Sequence, residues 1–163
     1  MQDHHITAFK QELNQQHSSA KPQKQPINTP QDTFTSSYYF NQNNDWHEGN
    51  DQLHFARNGV SPRTLKKLKQ GALRLEGFLD LHGKTIIEAA ALLEQFIQNH
   101  AGPTSVCLLV VHGKGNQSKD GKAVIKNNVA HWLKHDPHVL AYHSALGKDG
   151  GNGALYVLTK KSR

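Results

Sequence analysis

The chain has 163 residues, of which 36% are hydrophobic and 20% charged, which is room for one domain. Its 19 Lys and Arg residues against 13 Asp and Glu give a formal net charge of +6, which favours polyanionic partners such as nucleic acid. A single cysteine excludes an intramolecular disulfide and a cysteine-based zinc cluster, and no apolar run approaches the ~18 residues of a membrane span.

The first 50 residues are predicted to form a disordered tail. They carry three Lys, no Arg and five acidic residues, a net charge of −2, whereas residues 51–163 carry 16 basic and 8 acidic residues, a net charge of +8. Gln and Asn are abundant and apolar groups are few, so burial cannot offset chain entropy. Two alternatives stay open for the aromatic patch from Tyr38 to Trp46, which could pack on the domain or contact a partner. A chain starting near Gln52 is expected to fold.

The tail also bears on localisation. Its first residues, MQDHHITAFKQEL, have neither the apolar core nor the basic leader of a secretion signal. A cytoplasmic protein without membrane contact is therefore expected.

Residues 51–75 are predicted to be a basic leader that contains a short helix. Ser61 can cap this helix, Pro62 fits its first position and Gly71 can end it. The leader holds six basic residues and no acidic one between positions 57 and 74. Such a run is either a solvated face or a phosphate-contacting element, and the missing counter-charge favours phosphate contact. The candidates on the helix are Arg63, Lys66, Lys67 and Lys69.

The remaining residues, 76–163, are predicted to fold as β-α-β-α-β-β. The strands are GFLDLHG, SVCLLVV with Cys107 in the core, HVLAYHSA and ALYVLTK. Thr85 and Glu88 form a possible capping box for the first helix, and Pro137 ends the second. Two βα units imply parallel neighbours, and the last two strands are expected to be antiparallel. The predicted class is α/β, a compact two-layer sandwich.

Three polar clusters flank the predicted strands. Asp80 and His82 close the first strand, and residues two apart in a strand point to the same face, so the two groups can act together. The HGKG sequence at 112–115 follows the second strand, and GGNG at 150–153 precedes the fourth. Because the carboxyl ends of parallel strands line the ligand crevice, the first two clusters are expected at one edge of the sheet.

Each cluster also has a plain structural interpretation. A His-Gly pair at a strand end is often a turn, HGKG can be a flexible loop, and GKDGGNG can be a hairpin connection. Glycines beside Lys114 equally allow a phosphate to approach the backbone closely. Two His-Gly turns in one short chain, one with an aspartate two positions upstream, favour a functional site.

Several sharper motifs are excluded. Five residues separate Gly115 from the next Gly-Lys pair and Ala123 follows that lysine, whereas a P-loop needs four residues and then Ser or Thr. No GxGxxG follows the first strand and no GxSxG turn is present. His131 and His135 have helical spacing, but no HExxH glutamate or third ligand accompanies them. No metal site and no cofactor are expected.

The motifs together resemble the Smr (small MutS-related) domain family. LDLHGKT before a helix with EAA, VVHGKG, a helix with a tryptophan near its end, and GGNGALYVL occur in that order over about residues 76–160. The RNGVSPRTLKKLKQG segment is similar to the leader of stand-alone members. The resemblance implies a fold similar to the C-terminal domain of a bacterial translation initiation factor. It also implies endonuclease activity, because members nick DNA or cleave RNA, one branch at collided ribosomes.

The resemblance also assigns site residues. The family's DxH motif falls on Asp80 and His82, and its HGxG motif and glycine loop fall on His112, Gly113, Gly115, Gly151 and Gly153. We expect His82, oriented by Asp80, to act as general base or acid, with His112 as its partner or as a phosphate contact. Lys114 and the glycine N–H groups would hold the phosphate.

RNA is the expected substrate, and no metal is expected in the reaction. A DNA-nicking enzyme and a non-catalytic nucleic-acid or ribosome-binding module are the alternatives. The expected partners are RNA or DNA and the ribosome, and the expected oligomeric state is a monomer.

Overall fold

A computed structural model describes residues 46–116 and 123–161 of the protein. The predicted tail therefore lies outside the described residues up to position 45. Within these ranges there are five strands: β1 His54–Ala56, β2 Leu75–Asp80, β3 Cys107–Val111, β4 Val139–Ser144 and β5 Ala154–Thr159. The same ranges contain three α-helices: α1 Pro62–Lys69, α2 Ile86–His100 and α3 Val124–His135.

The strands form one sheet in the order β1-β4-β5-β3-β2. As predicted, β2 and β3 are parallel and β4 and β5 are antiparallel. The last strand, β5, lies between β3 and β4, and Ala154 at its start pairs with Val111 at the end of β3. The upper edge of the sheet is the edge at which β2 and β3 end, and the glycine loop before β5 arrives at the same edge.

Helices cover both faces of the sheet. Leu93 of α2 and Trp132 of α3 belong to a core with Leu108, Val110 and Val157 of the strands. The opposite face packs a second cluster that contains Leu68 of α1 with Leu109 and Tyr156. This arrangement confirms the α/β class, and it places the leader helix on the sheet rather than outside it.

The helix boundaries follow the predicted capping residues. Ser61 Oγ accepts a hydrogen bond from Thr64 N at 3.2 Å, with Pro62 at the first helical position. At the start of α2, Thr85 and Glu88 satisfy each other's backbone N–H groups, a complete capping box. Each cap satisfies donors that the first helical turn leaves unpaired.

Strand β1 is the element that sequence reasoning missed. It has three residues, of which only Phe55 is half-buried, so it is too short to show the alternation that identifies a strand. It pairs antiparallel with β4, and Leu53 just before it is buried. The predicted leader, residues 51–75, therefore also contains β1, which is an edge strand of the sheet.

Residues 46–52 form an N-terminal strap against α3. Asn127 accepts a hydrogen bond from His47 N and donates one to His47 O, both at 2.8 Å. The buried Lys126 donates from Nζ to the carbonyls of Gly49, at 3.1 Å, and Asp51. These contacts begin at His47, within the predicted tail of residues 1–50. No helix in the described ranges is long and apolar enough to cross a membrane.

Candidate active site

Asp80 and His82 are paired by a turn at the upper edge of the sheet. Strand β2 ends at Asp80, whose Oδ1 accepts from His82 N at 3.0 Å and from His82 Nδ1 at 2.6 Å. The predicted pairing is present, but its predicted cause is wrong because His82 lies beyond the strand. Nδ1–H faces the carboxylate, so Nε2 is the ring nitrogen left for a substrate. The side chain of His82 is 72% exposed and is therefore accessible.

His112 lies close by and is buried. Its Nδ1 is 2.6 Å from Gly113 O. A carbonyl only accepts hydrogen bonds, so Nδ1 carries the proton and Nε2 carries the lone pair. Nε2 is buried and has no hydrogen-bond partner among the described residues.

Burial lowers the pKa of His112 to about 4, and the Lys126 charge adds to this effect, although the hydrogen bond to Gly113 opposes it. The imidazole is therefore neutral at pH 7. A bare Nε2 cannot donate to a phosphate oxygen, so this arrangement does not support the predicted phosphate contact of His112.

The two glycine loops are joined beside this pair. Gly153 O accepts from His112 N and from Gly113 N, both at 2.9 Å. A Cβ on Gly153 would lie 3.3 Å from the Lys114 side chain, and one on Gly113 would lie 3.8 Å from His82 Cβ. The two predicted loops and the DxH turn are thus brought together.

Three of the four predicted glycine N–H donors are engaged in hydrogen bonds within the loops. Gly113 N donates to Gly153 O, Gly151 N to Leu146 O at 2.9 Å, and Gly153 N to Gly150 O at 3.1 Å. These donors are already engaged within the loops and are not available to hold a phosphate. The glycines instead shape the loops, since Gly113 and Gly115 both have φ of +78°.

Two lysines give this edge its positive charge. Lys114 is exposed beside Gly153, and its backbone carbonyl contacts Gly49 of the strap. Lys126 is 1% exposed below it, and burial and the nearby Lys114 lower its pKa while Asp51 raises it. Sequence reasoning missed Lys126; the signal was its position three residues before the buried Val129 on the apolar stripe of α3.

A buried pair anchors the loop before β5. The hydroxyl of Tyr156 donates to the Asp149 carboxylate and accepts from Leu146 N at 3.3 Å. Burial and Asp149 raise the pKa of Tyr156 well above its ordinary value. Asp149 is 3% exposed, so this hydroxyl satisfies a charge that burial would otherwise penalise.

The leader cations are not brought to the DxH pair. Helix α1 packs on β4 and β5, whereas Asp80 ends the strand at the far side of the sheet from β1. Arg57 of the same basic run is structural: its guanidinium donates to the carbonyls of Val139 at 2.7 Å, Asp136 at 2.9 Å and Lys134 at 3.1 Å. Arg63, Lys66, Lys67 and Lys69 are all exposed.

A second Asp-x-His turn lies at the other end of the sheet. His138 N donates to Asp136 Oδ1 at 2.8 Å, and its Nδ1 is 3.1 Å from the same oxygen. This turn precedes β4 and has neither the glycine loops nor Lys114 beside it. The local geometry alone therefore does not distinguish the candidate site, whereas its surroundings do.

Metal-ligating side chains are not clustered in the described ranges. No group of three or more His, Cys, Asp or Glu residues there is arranged to hold a metal ion. The rings of His131 and His135 are tilted by 41° with centroids 4.3 Å apart, and His135 Nδ1 is hydrogen-bonded to His131 O at 2.8 Å.

Comparisons with known proteins agree with these motifs. The model of the Smr domain family matches residues 79–160. The chain is 31% identical over 147 residues to the "Ribosome rescue factor SmrB" of Photobacterium profundum, covering 90% of this chain and 80% of that protein. It is 33% identical over 110 residues to the "Probable DNA endonuclease SmrA" of Escherichia coli, covering 68% of this chain but only 59% of the relative.

A solved structure is also similar. The crystal structure of YdaL, "a stand-alone small MutS-related protein from Escherichia coli", matches with a TM-score of 0.62 and 29% identity. The match covers 80% of this chain and all of that one. Sequence and structure comparisons therefore converge on one family.

Proposed function

Because the chain belongs to the Smr domain family, we propose that it is an endonuclease that cleaves RNA. The observation that carries the proposal is the exposed His82, held by Asp80 at 2.6 Å on the edge where two parallel strands end. A carboxylate that fixes the tautomer of an accessible imidazole is the arrangement of a general base. Simple phosphate binding would not need the carboxylate.

The proposed reaction uses the 2′-hydroxyl of the RNA. His82 Nε2 removes the proton of this hydroxyl, and its oxygen attacks the adjacent phosphorus. The bond from phosphorus to the 5′ oxygen breaks, and that oxygen takes a proton from water while the imidazolium returns its own proton to solvent. The products are a 2′,3′-cyclic phosphate and a 5′-hydroxyl. The attack is intramolecular and gains from proximity.

Charge at the edge supports this step. The phosphorane that forms is more negative than the substrate phosphate, and the exposed Lys114 belongs to the HGKG loop that packs beside His82. The buried Lys126 adds a second positive charge, and its ammonium group is fixed in place by two backbone carbonyls. Fixed cations near developing negative charge lower the barrier more than mobile ions do.

We propose ribosome-bound messenger RNA as the substrate class and the cytoplasm as the location. The support is the name "Ribosome rescue factor SmrB", which the relatives from Photobacterium profundum and from Enterobacter carry. The match covers only 54% of the Enterobacter protein, so the proposal that both proteins act on the same substrate is tested directly. The test compares cleavage of one message in naked form and on stalled ribosomes.

The chemistry is tested with the products. Labelled RNA cleaved in EDTA should give 2′,3′-cyclic phosphate ends, and an RNA with one 2′-deoxy nucleotide at the cut site should resist cleavage there. Supercoiled DNA is tested beside the RNA as the alternative substrate, because a relative is named a probable DNA endonuclease. Cleavage of the deoxy substrate at an unchanged rate, or 5′-phosphate ends, would show water attack instead. Binding without cleavage would show a non-catalytic module.

A further inference from the structure

A second pocket opens between α1 and the β1-β4 edge of the sheet. It encloses about 460 Å³ and none of its lining residues is acidic. Leu65 and Leu68 of α1 form an apolar wall, and Lys66 and Lys69 extend from the same helix. His54 of β1 and His143 of β4 stand opposite, with ring centroids 6.3 Å apart.

This pocket reaches the upper edge of the sheet, as His82 does, but it lies beside β1 at one end of the strand order and His82 follows β2 at the other. Ser144 ends β4 and pairs with Leu155 at the start of β5, so β4 ends at the upper edge. His143 is one residue before that end, and its partner His54 begins β1. Four strand spacings separate β1 from β2, ~19 Å in all. A stacked nucleic-acid strand crosses that distance in no more than about six nucleotides.

The two pocket lysines have no counter-charge. Within the described part of the chain, neither Lys66 nor Lys69 makes an ion pair within 4.0 Å. Arg57 shows the contrast, because its guanidinium is used to bind carbonyls within the protein. A suitable ligand has an anionic end, which the two lysines would contact. Its other end is flat and weakly polar, and would pack against the apolar wall.

We propose that this pocket binds one nucleotide of the RNA strand that is cut at His82. This inference rests on the proposed function and names a subsite for its substrate. Lys66 and Lys69 contact the backbone phosphates, and the base stacks on the imidazoles of His54 and His143. Cationic grooves with flat rings on which bases stack are the recurring means of binding single strands. Only RNA strands long enough to reach from His82 to the pocket therefore gain these contacts.

Binding of RNA oligonucleotides of two to ten nucleotides in the His82→Ala background tests the subsite. Lys66→Ala/Lys69→Ala should weaken binding of the longer RNAs by tenfold or more and reduce the slope of log affinity against log salt by about 1.4. RNAs too short to reach the pocket should bind as before. Lys67→Ala is the matched control: the sequence also makes this lysine a candidate for phosphate contact, but it lies on the same helix without lining the pocket. It should change binding less than twofold.

His143→Ala tests the stacking. It should weaken binding of long RNA about fivefold or more without changing the salt slope, and an abasic residue at one position of the RNA should remove that difference. Thermal melting of each variant shows that it is folded. Equal losses for short and long RNAs, or an effect of Lys67→Ala as large as that of the pocket pair, would overturn the subsite.

Two further outcomes separate the inference from the proposed function. If AMP binding alone depends on Lys66 and Lys69, the pocket takes a free nucleotide and the subsite is wrong. If the wild type cleaves RNA through His82 and the pocket variants bind long RNA normally, the subsite alone fails. If the wild type cleaves no RNA, the proposed function fails.

Discussion

At the residue scale, the two Asp-x-His turns show that a hydrogen bond to an aspartate does not by itself make a histidine a candidate catalytic residue. Both histidines bond to an aspartate two positions upstream, yet only His82 lies beside the glycine loops, one of which carries Lys114. His82→Ala should lower RNA cleavage about 10²–10⁴-fold, the usual loss when a general base is removed. His138→Ala is the matched control and should leave the rate unchanged, as measured by initial rates on labelled RNA. Equal effects of the two substitutions would remove His82 from the chemistry.

A second prediction at this scale concerns the buried His112. Its pKa is lowered to about 4 in the fold, whereas an unfolded histidine titrates near about 6.5. Between these values the unfolded chain binds more protons, so stability is complete above pH 6.5 and is lost as the pH falls toward 4. The loss is on the order of 3 kcal/mol.

His112→Asn should remove most of this pH dependence, because an amide can donate to Gly113 O without titrating. Urea unfolding of the two proteins at pH 7.5 and pH 5 measures the difference. An undiminished pH dependence in the variant would assign the effect to other groups.

At the element scale, the sequence predicts what local chemistry determines. Ser61 and Thr85 mark helix starts because their side chains satisfy backbone donors, and the apolar run of β3 marks a central strand. Strand β1 could not be predicted, because three residues are too few to show the two-residue hydrophobic alternation of a strand. The burial of His112 and the engagement of the Gly113 N–H group depend on how two distant loops meet, which no local pattern contains.

A prediction for the loop before β5 belongs to this scale. Tyr156→Phe removes the hydroxyl that satisfies the buried Asp149, so it should destabilise the protein by about 2 kcal/mol or more. Tyr142→Phe is the control: its hydroxyl donates only to Ala130 O, at 3.2 Å, and its loss should cost about 1 kcal/mol. Chemical denaturation measures both. Equal losses would mean that Asp149 finds another partner.

At the scale of the whole molecule, the strap changes the expected boundary of the folded unit. Sequence composition predicts that a chain beginning near Gln52 folds normally, yet Lys126 and Asn127 both bond to residues before that point. Removing residues 1–51 should lower the free energy of unfolding by about 4 kcal/mol, at about 1 kcal/mol for each of the four hydrogen bonds that Lys126 and Asn127 lose. Removing residues 1–45 should cost less than 1 kcal/mol, as the composition of that segment predicts. Thermal and urea unfolding compare the two, and equal stabilities would show that the strap contributes nothing.

The position of β5 has a consequence for protein synthesis. This strand is the last of the five in chain order, yet it lies between β3 and β4 and supplies the Gly153 carbonyl that holds His112 and Gly113. While the ribosome is still making β5, the β1-β4 and β2-β3 pairs lack the strand that joins them, and the candidate site does not exist. A nascent chain therefore carries no formed candidate site until β5 has been made.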